Sequence, residues 1–141
     1  MKLSPFHLAI PVDDVAKARA FYTQTLKFEE GRSSDHWVDY NFFGHQLVIH
    51  YKPKQETEIY TNPVDGKDVP AMHFGIVMEW DDWHQLKDKL KKNGVEFVIG
   101  PYTRYEDLPG SQATMFIVDP SGNHLEFKSF KDDGAIFDST W

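Results

Sequence analysis

Phe6-His7-Leu8-Ala9-Ile10 and Met72-His73-Phe74-Gly75-Ile76 are two runs in which a histidine opens an apolar, strand-like segment and a small residue follows two places on. The histidines are 66 residues apart, and what comes after each follows the same order. Side chains alternate along a strand, so Ala9 shares a face with His7 and Gly75 shares one with His73. Small residues there leave room beside the imidazole, either for a ligand or for close packing of a neighbouring strand. A third run, Asn123-His124-Leu125-Glu126-Phe127, comes just after Asp119-Pro120-Ser121-Gly122 and supplies a carboxylate on a strand. Two imidazoles and one carboxylate suit a first-row transition metal with open positions.

Around these runs the chain reads as two similar units. Residues 5–12 form a strand, and Asp13 or Asp14 caps a helix whose stripe is Val15, Ala18, Tyr22 and Leu26. Strands are expected at about 28–32, 36–43 and 46–51, with Phe43-Gly44-His45 as a turn. The order then repeats. Residues 72–78 form a strand, and Asp81 or Asp82 caps a helix with Trp83, Leu86 and Leu90 on its stripe. Asn93-Gly94 ends that helix, since Gly suits the left-handed position after a helix. Strands near 95–100, 112–118 and 123–130 complete the second unit. The pattern is β-α-β-β-β twice, an α+β architecture in a single domain over 1–141, with modules at about 3–51 and 71–130. Two such units can each curve a sheet and together enclose a cleft. Residues 52–70 carry the turn signal Asn62-Pro63-Val64-Asp65-Gly66. They read as a connection between the modules and, at that length, as a candidate functional loop. The tail, 131–141, is polar apart from Ala135, Ile136, Phe137 and Trp141.

Composition narrows the function. The 141 residues fit one domain and suffice for a real core. No cysteine is present, so a metal must be held by His, Asp or Glu. The formal net charge of −7 argues against nucleic acid, which needs a positive surface. No apolar run approaches the roughly 18–20 residues that cross a membrane, and the N-terminus has no signal-peptide pattern. A cytoplasmic protein with no membrane partner is expected. There is no glycine-rich phosphate loop of the dinucleotide type.

With the paired histidine strands and the Asp119–Phe127 segment in place, residues 5–130 resemble the vicinal oxygen chelate superfamily. That group contains glyoxalase I, extradiol catechol dioxygenases, fosfomycin-resistance proteins and bleomycin-binding proteins. The resemblance implies paired βαβββ modules forming a curved, U-shaped mixed sheet around a metal cleft. It maps the metal ligands onto His7, His73 and Glu126. In the glyoxalase I branch a fourth ligand lies on the last strand of the first module. The matching run here is Gln46-Leu47-Val48-Ile49-His50, with His50 standing where that branch usually carries Glu. His50 is therefore either a further ligand or a nearby acid or base, which an ordinary pKa near ~6.5 suits. The resemblance also implies a homodimer.

Tyr102 and Arg104 lie in a stretch with Pro101, Pro109 and Gly110 that reads as a loop. Such loops often cover a site, and Arg104 can hold an anionic substrate by a bidentate pair; a solvated loop is the alternative. His36, His45 and His84 read as surface residues, and Trp37, Trp80 and Trp83 as packing. Three functions remain open. The first is an extradiol-dioxygenase-like oxidoreductase using Fe(II), with His50 moving protons for a small substrate with vicinal oxygens. The second is a glyoxalase-I-like lyase or isomerase in which Zn, Ni or Mn acts as a Lewis acid. The third is a non-catalytic small-molecule binding or resistance protein.

Overall fold

The computed structural model describes residues 2–140; Met1 and the terminal Trp141 lie outside the described residues. The chain divides into two compact units, one of Met1–Glu58 with Asp119–Asn123, the other of Ile59–Val118 with His124–Trp141. Among the described residues no helix is long and apolar enough to cross a membrane.

The first unit runs β1 (His7–Val12), α1 (Val15–Arg19) continued by a π-helical turn (Ala20–Thr25), β2 (Glu29–Ser33), β3 (Trp37–Phe42) and β4 (His45–Tyr51). Asp14 caps α1, its carboxylate accepting the backbone N–H of Lys17. The strands form one sheet in the order β1-β4-β3-β2, with β1 parallel to β4 and the other pairs antiparallel. One face, carrying Ile10, Val12, Val38, Tyr40, Leu47 and Ile49, is buried together with Ala18 and Tyr22 of the helix. The apolar spacing alone does not distinguish the π-helical turn from α-helix.

The second unit repeats this plan with β7 (Phe74–Met78), α2 (Trp80–Lys92), β8 (Ile99–Arg104), β9 (Gln112–Val118) and β10 (His124–Phe130). Its sheet order is β7-β10-β9-β8, with β7 parallel to β10. In both sheets the outermost antiparallel pair slips register, between Glu30 and Ser33 in one and between Ile99 and Tyr102 in the other. Trp83 anchors α2 to its sheet, buried and donating its indole N–H to the Phe127 carbonyl at 2.8 Å. The βαβββ pattern read from the sequence is thus present twice.

Three local expectations are corrected. Residues 52–70 are not only a connection, because β5 (Thr61–Val64) and β6 (Lys67–Pro70) form an antiparallel hairpin. Its tip is Asp65-Gly66, both with positive φ, as a two-residue hairpin turn requires. α2 starts at Trp80 with Glu79 in the cap position and no side-chain cap bond. Asp81 and Asp82 sit inside its first turn, where the positive end of the helix dipole favours carboxylates. Finally, Tyr102 and Arg104 lie on β8 rather than in a loop. Pro101 lacks an N–H and so signals a loop in sequence, but β8 is an edge strand, where proline is tolerated.

The Asp119-Pro120-Ser121-Gly122-Asn123 turn belongs to the first unit although it follows β9 in sequence. Asp119 is buried at 4% exposure. Its carboxylate accepts the Tyr22 hydroxyl at 2.8 Å, the backbone N–H groups of Ser121 and Asn123, and the Asn123 side-chain amide. Asn123 also donates to the Pro11 carbonyl, and Ser121 exchanges hydrogen bonds with Asp13 at the end of β1. A buried carboxylate is tolerated only when satisfied in this way.

Burial pushes the Tyr22 phenol well above its ordinary pKa, helped by the charge and hydrogen bond of Asp119. The raised pKa means the folded state keeps this proton where the unfolded chain releases it. Stability is therefore unaffected below pH about 10 and falls as pH rises above it. Tyr22→Phe should cost about 1–2 kcal/mol in urea unfolding at pH 7, and Asp119→Ala about 3 kcal/mol. The Tyr22→Phe variant should also lose less stability than wild type between pH 9 and 11. Gly75 gives a second prediction. A Cβ there would collide with the backbone carbonyl of Glu126 on the paired strand. Gly75→Ala should therefore destabilise by about 3 kcal/mol or more by the overpacking mechanism, whereas Gly100→Ala, which meets open space, should lower the melting temperature little.

Candidate metal centre

The register of the second sheet decides which side chains meet. Tyr102, Thr114 and Lys128 form one row across β8, β9 and β10, and Phe116, Glu126 and Gly75 form a row across β9, β10 and β7. Alternation along β10 puts His124, Glu126 and Lys128 on one face and Leu125 and Phe127 on the other, which is the fully buried one. The Gly75 carbon therefore lies against Glu126. Of the two reasons for a small residue after His73, close strand packing is the one seen.

His73 immediately precedes β7. Its Nδ1 is 2.7 Å from the Pro70 carbonyl, which can only accept, so Nδ1 carries the hydrogen. Nε2 lies 3.0 Å from Glu126 Oε2, facing it with a lone pair in the neutral ring and with an N–H in the protonated one. The ring also meets Phe116 edge to face, centroids 5.1 Å apart. The other carboxylate oxygen of Glu126 accepts the Thr114 hydroxyl at 2.7 Å. Two acceptors this close hold together only around a shared cation, a proton or a metal ion. Donor atoms bonded to one ion at about 2.1 Å and at right angles lie roughly 3.0 Å apart. The pair, with its ring tautomer and carboxylate both fixed by neighbours, fits a metal ion by its donor chemistry.

His7 repeats the arrangement in the first unit. Its Nδ1 donates to Gln46 Oε1 at 2.8 Å, leaving Nε2 free, and Gln46 is the residue paired with it across β1 and β4. Among the described residues, neither unit by itself gathers three or more His, Asp or Glu side chains into a group that could hold a metal.

The two sheets differ at one decisive position. Gly75 pairs with Glu126, and its counterpart Ala9 pairs with Val48. The first unit thus has Val48, only 6% exposed, where the second has its carboxylate. His50 lies two residues further along β4, opposite Pro11 and Trp37. By strand pairing the place matching Glu126 is that of Val48, and His50 stands exposed two residues beyond it.

Tyr102 and Arg104 are brought together on Asp65, at the tip of the β5–β6 hairpin. The Tyr102 hydroxyl donates to Asp65 at 3.0 Å and Arg104 Nε donates at 2.6 Å. Arg104 also donates to the Tyr105 hydroxyl, and the Lys67 ammonium sits 4.0 Å over the Tyr102 ring. Burial, then the hydrogen bond to Asp65, pushes the Tyr102 phenol up to about 12. Asp65 is held below the usual carboxylate range by its bond to Arg104.

The sequence reading missed Thr114, Gln46 and Asp65 as supporting groups, because strand pairing, not local pattern, brings them to their partners. His45 and His84 do more than decorate the surface. His45 Nδ1 accepts the Phe6 N–H at 2.8 Å, and His84 donates to the Trp80 carbonyl.

The model of the Glyoxalase/Bleomycin resistance protein/Dioxygenase superfamily matches residues 4–127. The chain is similar to a glyoxalase/bleomycin resistance protein/dioxygenase from Alicyclobacillus acidocaldarius at 32% identity, covering 95% of this chain and 96% of that one with a TM-score of 0.80. An integron cassette protein from the mobile metagenome of a Halifax Harbour sewage outfall shares the fold at 22% identity, with 89% and 97% of the two chains covered and a TM-score of 0.65. A lactoylglutathione lyase from Agrobacterium tumefaciens does so at 14% identity, covering 89% and 92% with a TM-score of 0.61. No curated protein matches the sequence significantly. With two βαβββ units and a family match over nearly its whole length, the chain belongs to the Glyoxalase/Bleomycin resistance protein/Dioxygenase superfamily.

Proposed function

We propose that this chain is a divalent-metal-dependent enzyme acting on a small substrate with vicinal oxygens, with extradiol-dioxygenase-like oxidoreductase chemistry. His7, His73 and Glu126 hold the ion, Fe(II) first, with Zn, Ni and Mn as alternatives. The observation that carries this reading is Val48 in the place matching Glu126. It limits the matched positions to two imidazoles and one carboxylate, the set that suits non-haem Fe(II) with open positions. When bound, Fe(II) in such a set supplies those positions and redox chemistry toward O₂. A glyoxalase-I-like lyase or isomerase would want a second carboxylate, which Val48 does not provide.

The chain's own residues then have defined tasks. Gln46 and the Pro70 carbonyl take the Nδ1 hydrogens of His7 and His73, so both rings offer Nε2. Thr114 holds one oxygen of Glu126 and turns the other toward His73. His50, exposed on the same face of β4 as Gln46, moves protons to and from the substrate. Tyr102 and Arg104 line the substrate side of the second sheet. A cytoplasmic homodimer is the setting proposed with this chemistry.

Metal titration by calorimetry tests the ligands. His7→Ala, His73→Ala and Glu126→Gln should each weaken binding by more than the roughly 10–100-fold typical of losing a supporting partner, and Thr114→Ala by about tenfold. Wild-type affinity in His7→Ala or Glu126→Gln would sink the assignment. Oxygen uptake by Fe(II)-loaded protein with a panel of catechols tests the reaction. Absence of uptake together with isomerisation of a hemithioacetal would move the enzyme to the lyase class. Tight ligand binding without metal or turnover would make it a binding protein. His50→Ala should lower turnover about 10²-fold or more while leaving metal affinity unchanged.

A further inference from the structure

We propose that Lys128 is the anion-holding residue of this site, and that the substrate carries a carboxylate beside its vicinal oxygens. The proposal rests on the reading of Glu126 as part of the reactive centre and adds the substrate class. Lys128 stands on the same face of β10 as Glu126, in the row of Tyr102 and Thr114. The two hydroxyls beside it have already used their single donors, and Arg104 is turned toward other partners. The Thr114 hydroxyl goes to Glu126, the Tyr102 hydroxyl goes to Asp65, and Arg104 is engaged by Asp65 and Tyr105.

Lys128 is different. Its Nζ is 3.9 Å from Glu126 Oε1 and 5.5 Å from the Phe130 ring centroid. The first distance is beyond a hydrogen bond. The Thr114 hydroxyl, at 2.7 Å, is the group that hydrogen-bonds that oxygen. The side chain is 30% exposed, so much of its length is covered. An ammonium has three donors, and one poised this near Glu126 places an anionic group next to whatever Glu126 faces. That proximity favours a carboxylate one or two bonds from the vicinal oxygens.

Calorimetry with 2,3-dihydroxybenzoate and 2,3-dihydroxybenzamide tests this, on both metal-free and zinc-loaded protein. The probes share the ring and the vicinal hydroxyls and differ in the charge. Wild type should bind the benzoate about tenfold or more tighter than the benzamide, the scale of a charge-assisted hydrogen bond. Lys128→Met should abolish that preference while keeping benzamide and zinc affinity, and Lys128→Arg should restore it. A preference retained by Lys128→Met, or no preference in wild type, overturns the proposal. Failure of wild type to bind zinc would instead overturn the metal reading, and the probe preference on metal-free protein would still decide the role of Lys128.

Discussion

The buried carboxylate of Asp119 ties the helix of the first unit to a turn that lies 97 residues away in sequence. It takes a phenolic hydroxyl from the helix after β1, two backbone N–H groups of its own turn and the amide of Asn123. Through Asn123 and Ser121 the same turn reaches the end of β1 at Pro11 and Asp13. β10 begins at the next residue, His124, and Glu126 follows two places later. In sequence the turn immediately precedes the strand on which the proposed carboxylate ligand stands. Removing the charge would leave the buried Tyr22 hydroxyl and the part-buried donors of the turn without their acceptor, which costs more than losing an equal number of exposed bonds.

Strand register is the second constraint. In a sheet a one-residue slip moves every side chain to the other face. The parallel pairing of β7 with β10 leaves Glu126 beside Gly75, and the antiparallel pairing with β9 brings Thr114 within reach of its carboxylate. Gly75 is what allows the first pairing to be so close. The imidazole of His73, just before β7, then needs only the Pro70 carbonyl to fix its tautomer. Each component is ordinary, and pairing is what assembles them.

This explains what was legible in the sequence. The two histidine strands, the Asp14 cap, the Trp83 and Leu90 stripe and the Asp119–Glu126 segment are local patterns, and they led to the right modules and family. Pro101 hid a strand because edge position is a property of the sheet, not of the residue. The hairpin at Asp65-Gly66 was visible as a turn, but its partners on β8 lie 37 and 39 residues away. That Val48 stands opposite Ala9 as Glu126 stands opposite Gly75 is a property of paired strands and cannot be read along one of them.

Val48 also bears on how the two halves could diverge further. It is enclosed at 6% exposure, between strands that pair on both sides. A carboxylate introduced there would have to be buried without a ready donor, at a cost of several kcal/mol until a cation or a proton compensated it. Introducing a carboxylate there by a single substitution is therefore uphill, although Ala9 and Gly75 hold corresponding pairing positions in the two units. The apolar residue keeps the carboxylate at this matched position on the second unit alone unless the packing around β4 is first loosened.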